Sequence, residues 1–92
     1  MQSGYTEALT DGYSLRVEHW RIADADPERQ QVRVWLALGG QDLQYLTATV
    51  AASATDAEAL TATRAVCATS AEQHAEQAAA DALIEDLVGG VV

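Results

Sequence analysis

Three stretches in the first half of the chain alternate between apolar and polar residues, the pattern of half-buried β-strands. They cover residues about 13–23, 31–38 and 43–51. In the middle stretch, one face consists of Val32, Val34, Leu36 and Leu38. The opposite face consists of Arg33, Trp35 and Ala37. Gly39-Gly40 follows directly and is typical of a hairpin turn, because glycine accepts the positive φ that tight turns need.

The first of these stretches changes face part of the way along. Leu15 and Val17 lie on one side of the strand, whereas Trp20 and Ile22 fall on the other. Either a β-bulge near 18–19 resets the alternation, or both faces of this strand meet apolar neighbours. With a polar, proline-containing loop at 24–28, the three stretches predict a three-stranded antiparallel meander.

From Thr55 onward the period of the apolar residues changes to that of a helix. Thr55 and Glu58 form a capping-box pattern, which predicts a helix over about 56–68. The segment 60–66 resembles the third strand in sequence, so a fourth strand is the competing interpretation there. A second capping pattern at 69–72 predicts a second helix over 70–88, and Gly89-Gly90 is its expected end.

The expected fold is therefore α+β, a three-stranded antiparallel sheet followed by two helices packed on one face. The second helix has an apolar stripe formed by Ala80, Leu83, Ile84, Leu87 and Val88. A smaller alanine stripe lies almost opposite and consists of Ala71, Ala75, Ala78 and Ala82. It either lets another helix approach closely or reflects only the helix propensity of alanine.

Domain organisation follows from the length of 92 residues, which predicts one α+β domain over 13–92. Residues 1–12 are expected to be a partly ordered segment tethered by Tyr5 and Leu9. No basic segment followed by an apolar core begins the chain, so no signal peptide is expected. The single cysteine excludes an internal disulfide, and a reducing, cytoplasmic location fits best.

Charge is the most unusual feature of the composition. Fourteen acidic residues face five arginines, which gives a net charge of −9. Residues 51–92 hold seven of the acids and only one arginine. This balance disfavours direct binding to nucleic acid or to an anionic membrane, and it favours a basic protein partner. The absence of lysine, together with 19 alanines, is typical of a GC-rich genome, so the acidity also has a purely solubilising interpretation.

The residue types that carry chemistry are few and scattered. On a helix, His74 lies about 160° from Glu72 and Glu76, so these three cannot share a metal ion. His74 is expected to be a solvated helix residue, His19 a strand residue and Cys67 a small core residue. No catalytic site, cofactor or metal site is predicted, and the chain is not expected to be an enzyme.

Two surfaces remain as candidates for binding a protein partner. The first is the outward face of the sheet, which carries Trp35 and Arg33. Tyr45 lies on this face only if the strand register places it there. The alternative is that the N-terminal segment covers Trp35. The second helix offers an acidic surface formed by Glu72, Glu76, Asp81, Glu85 and Asp86. Its alternative interpretation is an ordinary solvated face.

In size and charge alone, the chain is similar to small phage-encoded inhibitors of bacterial defence, including anti-CRISPR proteins. The similarity covers no particular residue and transfers no site; it would imply a host-cell cytoplasm as the place of action. The sequence thus predicts a non-enzymatic, acidic protein-binding module, in its sharper form a nucleic-acid mimic that blocks a basic surface of a partner. The alternative is a small structural or chaperone-like subunit that acts as a homodimer.

Overall fold

The computed structural model describes the backbone of residues 3–91 and the side chains of residues 3–83. The described chain forms one antiparallel sheet and one long helix. In chain order the elements are β1 (Thr6–Ala8), β2 (Tyr13–Ala23), β3 (Arg29–Leu38), β4 (Gln41–Ala51) and α1 (Asp56–Val91). The α+β class, the antiparallel sheet and the packing of a helix against it are confirmed. The expectation of three strands and two helices was wrong, because there are four strands and one helix.

The sheet has the order β1-β2-β3-β4, so each strand pairs with its neighbour in sequence. The fourth strand is β1, in the segment for which only partial order was expected. Its residues pair with β2, with Glu7 opposite Leu15. Tyr5 and Leu9, which flank this strand, pack against the core, so the strand is held from both ends.

Of the two alternatives for the change of face in β2, the register of its pairing with β3 supports a bulge or irregularity. Val17 is opposite Val34, but the register shifts between Val17 and His19 and again before Ile22. Within the second irregularity, Arg21 has a φ of 53°, a left-handed conformation that non-glycine residues rarely adopt. This local geometry turns the Arg21 side chain toward the start of α1.

The start of α1 is the capping box that the sequence indicates. The backbone N–H of Glu58 donates to Oγ1 of Thr55 at 3.1 Å, and the backbone N–H of Thr55 donates to Oε1 of Glu58 at 3.0 Å. These two bonds satisfy N–H groups that have no partner within the helix. The interpretation of residues 60–66 as a fourth strand was therefore wrong.

The boundary expected between two helices, near 69–70, does not exist. The helix runs without interruption from Asp56 to Val91, through Ser70 and through Gly89-Gly90. Ser70 is buried, and its hydroxyl donates to Oε1 of Gln44 at 2.8 Å. No proline interrupts this segment, and glycine lowers helix propensity without forbidding the helix. The capping pattern at 69–72 therefore does not begin a new helix, and Gly89-Gly90 does not end this one.

The core lies between α1 and the inner face of the sheet. Its largest fully buried side chains are Leu15, Leu36, Val17, Val32, Val34, Thr63 and Cys67. The helix covers the sheet only with its first half, because Ala71 is its last buried residue within the described side chains. The 36 residues of α1 extend over about 54 Å. Its second half therefore projects beyond the sheet, in a molecule that measures 58 × 24 × 16 Å.

Candidate protein-binding surface

The outer face of the sheet carries an aromatic pair and is not covered by α1. Trp35 and Tyr45 are directly opposite each other on β3 and β4. Their ring centroids are 4.8 Å apart at an interplanar angle of 53°. Trp35 is half-buried and Tyr45 is 39% exposed. The register thus places Tyr45 on the same face of the sheet as Trp35. This was the condition under which the two residues could form one surface.

Two arginines flank the aromatic pair on the same face. Arg16 is opposite Trp35 on β2, and one of its terminal nitrogens lies 2.8 Å from Oδ2 of Asp42. Arg33 pairs with no carboxylate among the described residues. Its only hydrogen bond there runs to Oε1 of Gln31 at 3.3 Å, and its buried Nε has no acceptor. The terminal N–H groups of this guanidinium can still donate to a carboxylate or carbonyl of a partner.

The predicted acidic surface lies on α1, where the helix leaves the sheet. Glu72, Glu76 and Asp81 are all exposed. No cationic side chain of the described residues lies within ion-pair distance of any of them, and Asp81 accepts only a hydrogen bond from Gln77 at 3.0 Å. Glu85 and Asp86 follow on the same helix, but their side chains lie outside the described residues. In the described part of the projecting half, the helix thus carries carboxylates whose charge no cationic side chain of the described residues neutralises.

The ion pairs of the described chain are concentrated at the opposite end. Five contacts join four arginines to acids, and all of them involve residues 1–64. Arg64 is the nearest of these cations to the projecting half in sequence, and it pairs with Glu7 on β1. That contact fixes β1 to α1, and the hydrogen bonds from Arg64 lower the pKa of the Glu7 carboxyl below its ordinary value. The described projecting half therefore has acids and no arginine, whereas the rest of the described chain has both; four acids there also have no ion pair, namely Asp11, Asp24, Glu28 and Glu58.

The two candidate surfaces do not form one site. Val34 and Leu36 are buried beneath the helix. Arg33 and Trp35 alternate with them along β3, so their side chains point away from α1. The carboxylates Glu72 and Glu76 belong to the helix on the other side of the sheet. A single flat contact therefore cannot use both sets.

His74 is not a solvated helix residue, which corrects the sequence-based expectation. Its Nδ1 lies 2.7 Å from the hydroxyl of Tyr13, and the two rings meet edge to face with centroids 5.7 Å apart. Among the described residues, this is the last side-chain hydrogen bond along α1 that joins the helix to the sheet. Tyr13 and His74 are 61 residues apart in sequence, so no local sequence pattern predicts this contact.

Beside this contact, a groove opens between α1 and the turn that joins β1 to β2. It has a volume of about 250 Å³ and is lined by Leu9, Thr10, Asp11, Tyr13, Ala68, Ala71, Glu72 and Ala75. Its lining is mostly apolar but includes two acidic residues, Asp11 and Glu72. The sequence indicated Leu9 only as a tether, and the alanines only as a stripe, so it did not predict this groove.

The remaining reactive side chains are dispersed. Cys67 is fully buried, and burial raises the pKa of its thiol to about 11. His19 is exposed on the outer sheet face, opposite Arg33. Among the residues that the structure describes, no three His, Cys, Asp or Glu side chains are grouped so that they could hold a metal ion.

The described part of α1 has no apolar stretch of the length that crossing a bilayer requires. In comparisons with known proteins, no family model, no curated protein and no solved structure matches the chain. The basis for a functional assignment is therefore the chemistry of the two surfaces and of the groove.

Proposed function

We propose that the chain is a non-enzymatic protein-binding module that binds a basic surface of a partner protein through the projecting half of α1. The observation that supports this most directly is the exposure of Glu72, Glu76 and Asp81 without any neutralising cation among the described residues. The acids of the sheet are largely paired, whereas those of the projecting helix are available to a partner. Uncompensated charge of one sign raises the rate of encounter with a surface of the opposite sign.

The shape of the projecting half supports a sharper form of the proposal, an inhibitor that occupies a basic nucleic-acid-binding groove. A helix about 10–12 Å wide fits the space that a nucleic-acid backbone would fill. From Glu72 to Glu76 and from Glu76 to Asp81 the axial rise is about 6 and 7.5 Å. This is about twice the 3.4 Å axial spacing of phosphates along one DNA strand. Glu72 and Glu76 lie about 40° apart around the helix, so both can occupy positions near alternate phosphates, whereas Asp81 points about 140° away from Glu76.

A catalytic role is the less supported alternative. The single cysteine, Cys67, is buried, and its raised pKa keeps the thiol protonated at neutral pH. His74 is engaged with Tyr13, and His19 lies on the opposite side of the sheet from both. No pair of these groups is within reach of one substrate atom, which general acid–base or nucleophilic catalysis needs.

The proposal can be tested by competition with DNA. A panel of isolated nucleic-acid-binding domains with basic grooves is loaded with a fluorescent duplex, and its displacement is followed by anisotropy. We expect the chain to displace the duplex from at least one such domain, and to do so less well when salt is raised from about 50 to 200 mM. The double change Glu72→Arg and Glu76→Arg should weaken the competition at least about tenfold, since close charge pairs contribute 1.5 kcal/mol or more.

A matched control separates the helix surface from net charge. Asp24→Arg with Glu28→Arg changes the charge of the chain by the same amount, but at the loop between β2 and β3. This variant should compete almost as well as the unmodified chain. If both double variants lose competition equally, the projecting helix is not the binding surface and the proposal is wrong.

A further inference from the structure

The sheet has one long free edge, formed by the 11 residues of β4. The strand order places β1 and β4 at the two edges, and β1 is only three residues long. From Leu43 to Ala51 the edge strand contains no proline and no charged side chain. It therefore lacks two features by which natural proteins keep an edge strand from pairing with another chain.

The pairing of β4 with β3 determines which backbone groups face this edge. The N–H of Ala52 donates to the carbonyl of Glu28 at 2.8 Å. Backbone groups in an antiparallel pair alternate between the two sides of a strand. The even-numbered residues from 44 to 52 therefore bond to β3, and the odd-numbered residues from 45 to 51 direct their backbone groups to the other side. No described strand lies on that side.

Three residues keep both backbone groups open at the edge, namely Tyr45, Thr47 and Thr49, and all three are exposed. Ala51 faces the edge as well, but its carbonyl accepts a hydrogen bond from the N–H of Ala54 at 3.0 Å. The loop after β4 thus closes one end of the edge. What remains open is a ladder of three N–H and three C=O groups.

A groove lies on the inner side of the same edge, between β4 and α1. It has a volume of about 420 Å³, and its lining includes Leu46 of β4 and Ala65, Val66 and Thr69 of α1. None of its lining residues is charged. On the other flank of the helix, Arg64 pairs with an acid of β1, so α1 lies over the interior of the sheet and leaves the edge accessible.

We propose that two copies of this chain pair antiparallel through the free edges of β4, with Thr47 of one copy directly opposite Thr47 of the other. In this register Tyr45 of each copy is opposite Thr49 of the other, as two-fold symmetry requires. All three open residues of each copy thus have a partner. Each of the three pairs exchanges two hydrogen bonds, so six bonds join two four-stranded sheets into one of eight strands.

The side chains fit this register on both faces of the sheet. On the outer face, Thr47 meets Thr47 and Tyr45 meets Thr49, and such threonine and aromatic pairs stabilise antiparallel strands. On the inner face, Leu46 is opposite the small Ala48. The two Leu46 side chains are then diagonal neighbours across the two-fold axis, within reach of each other. The leucine of each copy lies at the mouth of the other copy's groove.

The distribution of charge favours a second copy at this edge over a basic partner. The chain has a net charge of −9, but the open edge and the groove beside it carry no carboxylate. The nearest acid of β4, Asp42, lies beyond the paired residues and is bonded to Arg16 at 2.8 Å. Because α1 projects past the Gln44 end of β4, the two-fold axis directs the projecting halves of the two copies in opposite directions. Glu72 and Glu76 therefore stay away from the contact.

Sedimentation equilibrium of the full chain from about 1 μM to about 1 mM tests the association, and a reversible dimer is expected. Thr47→Pro should raise its dissociation constant at least about 30-fold. The substitution removes two of the six bonds between the copies, and each contributes about a factor of five. The N–H of Thr47 does not bond to β3, so proline is compatible with the single chain, as it is on other edge strands. Circular dichroism checks that this variant folds.

Thr47→Ala is the matched control, because it keeps the backbone N–H. Losing one pair of threonines should change the dissociation constant by less than about fivefold. Thr47→Lys also keeps the N–H but sets two like charges opposite each other. It should weaken the dimer even though it lowers the net charge of each copy from −9 to −8, by one added cation. This variant decides the question if the proline variant does not fold.

Cross-linking tests the register. In the proposed pair, the Cα atoms of the two residues 47 are about 5.5 Å apart, a distance that a disulfide can bridge. Thr47→Cys copies should therefore form an intermolecular disulfide under mild oxidation, while Cys67 stays buried. Thr49→Cys copies should not, because the two residues 49 are offset by about 14 Å along the strands.

A chain that stays monomeric to about 1 mM would overturn the proposal. So would a dimer on which Thr47→Pro and Thr47→Ala have the same effect, because another surface would then form it. A cross-link that forms faster at residue 49 than at residue 47 would do so too. None of these outcomes involves Glu72 or Glu76, so the proposed function is tested separately.

Discussion

At the scale of single residues, Arg21 connects the bulge of β2 with the start of α1. Its guanidinium and Nε donate to Oε1 of Gln30, Oδ1 of Asp56 and the carbonyls of Ala52 and Ala54, over 2.7 to 3.2 Å. The side chain is only 15% exposed. It satisfies two carbonyls of the loop between β4 and α1, so it fixes the direction in which the helix leaves the sheet. The positive φ of Arg21 is a local cost that these contacts offset.

Replacing Arg21 by alanine should therefore destabilise the protein by about 2–4 kcal/mol, because it removes hydrogen bonds of a charged group and leaves two loop carbonyls without their partner. Urea unfolding followed by circular dichroism measures the change. Arg29→Ala is the control, since Arg29 contacts Asp26 at 3.8 Å and is 63% exposed. That variant should stay within about 0.5 kcal/mol of the original. Equal losses in the two variants would show that the Arg21 contacts do not stabilise the fold.

At the scale of secondary structure elements, the strands were predictable because alternation records burial directly. Val32, Val34 and Leu36, the alternate positions on one face of β3, are all buried, as the sequence indicates. The start of α1 was predictable for a similar reason, since a capping box is local. The number of helices was not, because the pattern at 69–72 has the same letters whether it begins a helix or lies within one. Ser70 and Gln44 are 26 residues apart in sequence, so the pattern around Ser70 does not predict their hydrogen bond.

The candidate surfaces show the same division. Trp35 on the outer face follows from the alternation of β3, but the presence of Tyr45 beside it depends on the register of β4. That register contains a shift, because Leu36 is opposite Gln44 while Ala37 is opposite Asp42. Leu43 is the extra residue and is 41% exposed. Sequence patterns specify which residues share a face within one strand, whereas the pairing across strands is a tertiary property.

The projecting half of α1 should contribute little to the stability of the rest of the fold. A chain that ends at Gln77 keeps the buried Ser70 and Ala71 and the contact between Tyr13 and His74. At micromolar concentration or below, its free energy of unfolding should be within about 1 kcal/mol of the original, because the described side chains beyond Gln77 are exposed. Thermal and urea unfolding measure this, and the helical signal should fall with the length removed.

The control for this truncation is a chain that ends at Thr69. It loses the hydrogen bond from Ser70, the burial of Ala71 and the Tyr13–His74 contact. A loss of at least about 2 kcal/mol is expected, since each of these contacts contributes on the order of 1 kcal/mol. If the chain that ends at Gln77 is destabilised as strongly as this control, the projecting half packs on the sheet, and the proposal that its carboxylates bind a partner is wrong.

At the scale of the whole molecule, the described ion pairs all lie in the half that contains the sheet, whereas Glu72, Glu76 and Asp81 of the projecting half have no ion pair among the described residues. The pair of Glu7 and Arg64 is one of these ion pairs. Arg64 donates to both carboxylate oxygens of Glu7, and Tyr5 adds a third hydrogen bond at 3.0 Å. These bonds join the short strand β1 to the helix, which the three residues of β1 alone could not secure.

The stability of the protein should consequently fall in acid. The pKa of Glu7 is lowered in the folded state, chiefly by the hydrogen bonds from Arg64, and the backbone N–H of Thr55 lowers the pKa of Glu58. A lowered folded-state pKa contributes stability that is present above the unfolded value of about 4.3, and it is lost as the pH falls through the folded value. The free energy of unfolding should therefore decrease from pH 6 to pH 3, as urea titrations at each pH would measure.

The contribution of the Glu7 pair can be isolated because one substitution removes its titration. Glu7→Gln keeps the size of the side chain but abolishes the charge, so the loss of stability between pH 6 and pH 3 should become shallower than in the original chain. Glu28→Gln removes an exposed acid with no described ion pair, and it should leave the slope unchanged. An identical slope in all three proteins would mean that the Glu7–Arg64 pair does not stabilise the folded state. In that case β1 would be held by its backbone pairing with β2 and by the apolar contacts of Tyr5 and Leu9 alone.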